Sequence, residues 1–228
     1  MTTKQITISF LCLFMLAMQA YAQKPELGKD RLALKTFSIQ FDVNAFYKNQ
    51  IEIHKKSLAL YAQGKTKEAF SDKLLKNYKG VERIDTLLIS DKRYLMFYQM
   101  KAIRTKDTLA TFENIGFQKL DMATNERNEF LSLRATSWTY KDGQENFDLL
   151  KSNLEKLFGK PQIIKETFQH GTYYEWATDD LVISLIAATD EERNGDTSLT
   201  SNLYLTRKSE YENLKANLIG KTKYYWFY

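Results

Sequence analysis

Nine glycines and two prolines are all that a chain of 228 residues contains of either type. With so few breakers the chain must be built from regular elements joined by tight connections, and each Gly or Pro that occurs marks an element boundary. Pro25 and Gly28 sit among charges in a short extended lead-in. Residues 34–43 are rich in Phe, Ile and Thr with loose alternation, which predicts a strand. From Asn44 the period turns helical. Phe46, Tyr47, Ile51, Ile53, Leu58, Leu60 and Tyr61 fall on one half of a wheel, with Lys48, Glu52, Lys55 and Lys56 opposite. Gly64 ends that helix, and Ala69, Phe70, Leu74 and Leu75 predict a second one over 66–77.

Strands are predicted next, over 84–90, 94–103 and 109–120, the last broken at Gly116. The order then recurs in outline. Residues 130–140 read as a strand and Asp142-Gly143 as a turn, and Phe147, Leu150, Leu154, Leu157 and Phe158 recur at helical spacing up to Gly159 and Pro161. Strands over 163–169, 172–178 and 181–187 follow across His170-Gly171 and Asp179-Asp180; a loop over 189–199, a strand over 200–207 and a helix over 209–219 complete the chain. The expected class is α+β: antiparallel sheet or sheets with a helical hairpin and a packed helix. Residues 23–121 and 122–228 read as two similar strand-helix-meander units, and one continuous domain is equally compatible with the order.

Residues 1–22 carry one charge, Lys4, ahead of an apolar run from Phe10 to Met18 and the small residues of Ala20-Tyr21-Ala22. That is the order of a secretory signal peptide, and the apolar run is too short to span a bilayer. Cleavage after Ala22 would remove Cys12, the lone cysteine, leaving residues 23–228 without thiol nucleophiles, thiolate metal sites or disulfides. The expected location is the periplasm or outside the cell, with no membrane span after cleavage. A cysteine-free exported chain lacking an Asn-x-Ser/Thr acceptor fits a bacterial envelope.

Chemistry is sparsely signalled. Serine-hydrolase, zincin, P-loop and dinucleotide motifs are missing from the sequence. His54 lies within the apolar arc of the first helix, where no carboxylate at helical spacing would orient it as a base or ligand, so it reads as a core histidine. His170 reads as a turn residue. Glu175, between Tyr174 and Trp176, is the one candidate for carboxylate chemistry, because aromatic neighbours can stack on a sugar and raise a carboxyl pKa; no partner carboxylate can be named. Residues 190–201 place oxygen side chains and Gly195 as a calcium loop does, but Ser201 stands where a bidentate Glu belongs, so they read as a solvated hairpin loop.

Two stretches resemble known families. Leu60, Tyr61, Gly64 and Ala69 are spaced as in the helix-turn-helix core of a tetratricopeptide repeat, which implies a helical hairpin; one copy makes no solenoid. The predicted helix, Phe158-Gly159-Lys160-Pro161 and the hairpin with Tyr173-Tyr174-Glu175-Trp176 resemble the helix-plus-meander units of BamE-like and β-lactamase-inhibitor-like envelope proteins. That resemblance implies protein binding and no chemistry.

Charge is concentrated. Between Lys48 and Arg83 there are nine Lys+Arg against four Asp+Glu, so the helix pair is the basic part of the chain. An export signal argues against nucleic acid as its partner, leaving anionic lipid, a polyanionic glycan or an acidic protein face. Lys55, Lys56, Lys65 and Lys67 are the candidate contacts. The aromatic end, Lys223 to Tyr228, adds Trp226 and Phe227 as candidates for a partner-binding tail. The expected function is a non-catalytic binding or interaction module of the bacterial cell envelope, with no metal or organic cofactor. The alternatives are a carboxylate-dependent hydrolase of envelope polymers and a small outer-membrane-associated protein.

Overall fold

The computed structural model describes residues 25–27, 30–69, 71, 80–90, 93–102, 107–138, 143–165, 172–191 and 197–218. The expected signal segment, His170, Trp226 and Phe227 lie outside the described residues. The class is α+β, as the periodicities predict. Among the described residues eleven strands, β1 (Leu32–Ala33), β2 (Gly80–Ser90), β3 (Arg93–Ala102), β4 (Ala110–Phe112), β5 (Ile115–Phe117), β6 (Lys119–Thr124), β7 (Phe130–Trp138), β8 (Gln162–Lys165), β9 (Thr172–Ala177), β10 (Leu181–Glu191) and β11 (Thr197–Arg207), accompany five α-helices. The helices are α1 (Val43–Phe46), α2 (Lys48–Ala62), α3 (Thr66–Ala69), α4 (Gly143–Phe158) and α5 (Tyr211–Leu218). Among the described residues no helix is long and apolar enough to cross a membrane.

Eight strands form one antiparallel sheet in the order β2-β3-β6-β7-β11-β10-β9-β8. The order is symmetric about the β7–β11 pair: each half runs from an outer edge inward, and the last strand of each half meets the other at the centre. β1, β4 and β5 make a separate small sheet, since the predicted strand over 109–120 folds at Glu113-Asn114 into a hairpin before β6 begins. Glu113 adopts φ 52° in that turn.

Strand alternation sends every second side chain to one face. On the first face Tyr98, Leu120, Met122, Leu133, Ala135, Leu203, Leu205, Ile183, Leu185 and Trp176 join one large core with Phe147, Leu150 and Leu154 of α4 and the apolar side of the small sheet. Gly143 starts α4 so close to β11 that a Cβ there would lie 2.5 Å from the Leu199 carbonyl oxygen. Gly159 takes φ 82° past the helix end, and the Trp176 indole N–H donates to its carbonyl at 2.8 Å, satisfying an acceptor at the terminus.

The predicted strand over 34–43 is corrected. Leu34–Thr36 is a 3₁₀ turn, the chain then crosses the first face as an irregular strap, and Asp42 caps α1 by accepting from the Ala45 N–H at 2.9 Å. The alternating aromatics that suggested a strand pack downward instead of pairing sideways. Phe130, Phe37, Phe41, Phe46, Tyr47 and Tyr98 form a chain of rings, successive centroids 4.8 to 5.4 Å apart, that fastens the strap to β7 and β3. Arg207 clamps it by donating to the Ile39 and Phe130 carbonyls. Phe130 reaches this face through a bulge: Ala123 pairs with Ser132 and Thr124 with Phe130, so Leu131 is the extra residue and the side-chain phase inverts there.

Candidate functional site

Two arrangements gather the charged and titratable side chains. The first is on the second face of the sheet. Successive cross-strand partners Gln99, Asp121, Arg134, Tyr204, Ser184, Glu175 and Gln162 form a single polar row over seven strands. At its centre Asp121 is 0% and Arg134 7% exposed. Asp121 Oδ2 accepts from Arg134 Nε at 2.8 Å and from its Nη2, and Lys119 Nζ stands 3.1 Å from the same oxygen. Burial alone would lower the Arg134 pKa, but the Asp121 charge, the Tyr204 hydroxyl and hydrogen bonds to both outweigh it and hold the guanidinium above its ordinary value. Asp121 Oδ1 is buried with no hydrogen-bond partner.

Glu175 occupies the other part of the row. The structure places it half-buried on the second face, opposite the core face that takes Tyr174 and Trp176, and next to α5. Its Oε1 accepts from the Ser184 hydroxyl at 3.2 Å and from the Tyr211 hydroxyl. Burial first, then the hydrogen bond to Glu175 and its charge, push the Tyr211 pKa well above its ordinary value. The carboxylate is therefore an acceptor for two neutral donors. Its fellow carboxylate in the row, Asp121, lies four strand spacings away, about 19 Å, whereas glycosidase carboxyl pairs stand roughly 5–9.5 Å apart. Tyr211 and Leu214 of α5 cover the neighbouring part of this face with Leu95, Phe97, Ala123, Leu131 and Val182.

The sequence reading missed Asp121, Arg134 and Tyr204. A signal was there: Leu120-Asp121-Met122 and Leu133-Arg134-Ala135 each hold one charge between apolar neighbours, with opposite signs, the first just past the end of one predicted strand and the second within another. Only the register, which sequence does not supply, puts them opposite each other.

The second arrangement is the helix pair. α2 buries Tyr47 at its N-terminal boundary and Gln50 one turn on, and nothing else along its length is fully buried. It ends in a Schellman motif: Gly64 at φ 74° donates to the Tyr61 carbonyl, and the Lys65 N–H returns to Leu60, each at 2.9 Å. α3 folds back, and the Ser57 hydroxyl donates to the Ala69 carbonyl at 2.9 Å. Lys55, Lys56, Lys65 and Lys67 are all exposed, and among the described residues no carboxylate lies within ion-pair distance of any of them. His54 is half-buried on the same helix. The described ends of the calcium-like stretch lie in β10 and β11, with Asp190 opposite Ser198 and Glu191 opposite Thr197 in the ladder, while 192–196 lie outside the described residues. No protein-family model matches the chain, and no match to it is found among characterised proteins or solved structures.

Proposed function

We propose that the protein is an exported, non-catalytic binding module of the bacterial cell envelope that engages an anionic partner through the α2–α3 helix pair. One observation carries the reading: the four lysines of the pair are exposed and, among the described residues, unmatched by carboxylates, whereas the buried Arg134 and the partly exposed Lys119 converge on Asp121. Surface charge left uncompensated over a short stretch attracts an opposite charge from solution, and its effect is screened by salt. The hydrolase reading gains less. Glu175 is engaged by Tyr211 and Ser184, and the second carboxylate of its row is too distant to act with it.

The test is capture from envelope extract by residues 23–228, wild type against a variant carrying Lys55→Gln, Lys56→Gln, Lys65→Gln and Lys67→Gln. The wild type is expected to retain an anionic component that salt elutes, and the variant to lose it. Equal retention by both overturns the reading. The export element is checked separately: the N-terminus of the protein recovered from a producing bacterium should begin at Gln23.

A further inference from the structure

We infer that the anionic partner is a bilayer surface, with Leu58 and Tyr61 entering the headgroup region and Lys55 and Lys65 meeting lipid phosphates; this rests on the binding function proposed above. The starting observation is the exposure of two large apolar side chains on a basic helix. Leu58 is 55% and Tyr61 58% exposed on α2. At 3.6 residues per turn Lys55, Leu58 and Tyr61 fall within an arc of about 120°, so one stripe carries a cation followed by two apolar groups. The Schellman turn at Gly64 then sets Lys65 one turn past Tyr61, at the helix end where a cation also complements the dipole. An apolar stripe bordered by lysines is the pattern of a helix lying in a membrane interface. A tyrosine suits that depth, because its ring is apolar and its hydroxyl polar.

The chemistry of the cations separates a bilayer from an acidic protein face. From Lys48 to Ala69 every cationic side chain is a lysine and none is an arginine. Lysine is a compact, strongly hydrated point charge on a flexible stem, suited to a diffuse array of phosphates. Arginine supplies the planar fork that pairs with carboxylates in protein interfaces, where lysine is depleted. Lys56 is an internal control. It sits about 160° from Leu58 around the helix, on the side of Glu52, and should point away from the bilayer.

The experiment is co-flotation of residues 23–228 with vesicles of phosphatidylcholine containing phosphatidylglycerol, against vesicles of phosphatidylcholine alone, at low and at physiological salt. Binding at least tenfold stronger to the anionic vesicles is expected. Lys55→Gln or Lys65→Gln should each weaken it roughly fivefold, Lys56→Gln less than twofold. Leu58→Ser should weaken it more than threefold, with an unchanged melting temperature certifying the fold. If extract capture depends on the lysines but the vesicles are not bound, the bilayer inference is wrong while the binding function stands, and the partner is an acidic protein or glycan. If Leu58→Ser keeps full vesicle affinity, or Lys56→Gln costs as much as Lys55→Gln, the proposed membrane-facing stripe is wrong. If neither extract capture nor vesicle binding depends on the lysines, both readings fall.

Discussion

Helices α2 and α4 have nearly the same length, 15 and 16 residues, and similar shares of apolar residues, yet the fold uses them differently. α4 lays Phe147, Leu150 and Leu154 on the sheet and buries Gly143 and Asn153 beside them. α2 is anchored through its first turn and leaves more than half of the Leu58 and Tyr61 side chains exposed. The same contrast holds for charge. In the sheet Arg134 is buried against Asp121, with the partly exposed Lys119 beside the same carboxylate oxygen, while on the helix pair the lysines face water. One region spends its side chains on stability, and the other keeps them available. The difference predicts where a substitution should act on folding and where on binding.

The largest effect should come from splitting the buried ion pair. Asp121→Ala leaves Arg134 without its carboxylate, and breaking such a pair costs about 3–5 kcal/mol. Replacing both partners by apolar residues of similar volume, Asp121→Leu with Arg134→Met, should recover most of that loss, because the stranded charge is gone. Urea denaturation of the wild type and the two variants checks this. A double variant as unstable as Asp121→Ala would mean that the pair holds the register as well as its own charge.

Next in size is the core face of α4. Leu154 is fully buried, so Leu154→Ala should cost about 2–5 kcal/mol through lost burial and the cavity left behind. Leu150→Ala should fall in the same range, measured by the same denaturation midpoint. If either cost less than 1 kcal/mol, α4 would be no more embedded than α2, and the contrast between the helices would collapse.

The buried tyrosines should also show themselves in alkali. Tyr98, Tyr204 and Tyr211 all have pKa values raised above the ordinary 10.0, burial being the first cause in each. A tyrosine whose folded pKa is raised stabilises fully below its unfolded pKa, and that contribution is lost as pH climbs above it toward the folded value. Stability should therefore be insensitive to these groups up to about pH 10 and fall beyond it. Tyr211→Phe, which cannot ionise, should fall less steeply over the same range. Parallel curves for the two proteins, followed by denaturation at a series of pH values, would mean that Tyr211 is not held in its protonated form.

These regions were not equally legible in the sequence. Period-two and helical patterns located seven of the described strands individually and both long helices, and ran β4, β5 and the start of β6 together as one strand, because burial of one face imposes a pattern on consecutive residues. The strap over 34–43 was misread since Phe37, Ile39 and Phe41 alternate as a strand would; whether such a run pairs sideways or packs downward depends on the sheet beneath it, and Phe130 and Tyr98 are far away in sequence. The β4–β5 hairpin was hidden for a related reason: its turn is Glu113-Asn114, while the eye stops at Gly116. The basic helix pair was visible because its charges are neighbours along the chain. The row from Gln99 to Gln162 was not, because each member comes from a different strand and only the register assembles it.

The smallest expected effect on stability is the one that most sharpens the comparison. Leu58→Ser, and each of Lys55→Gln, Lys56→Gln, Lys65→Gln and Lys67→Gln, should change the unfolding free energy by less than about 0.5 kcal/mol, as surface substitutions away from caps and packed neighbours do. Serine costs a little helix propensity at an exposed position, and glutamine almost none in place of lysine. The same hydrophobic-to-polar change at Leu154 of α4 could not be silent, since that side chain has no solvent to turn to. Thermal melts of the five variants beside Leu154→Ala decide the matter. A loss above 1 kcal/mol for Leu58→Ser would mean that this side chain supports the fold, and the helix pair would then have no spare apolar surface to offer a partner.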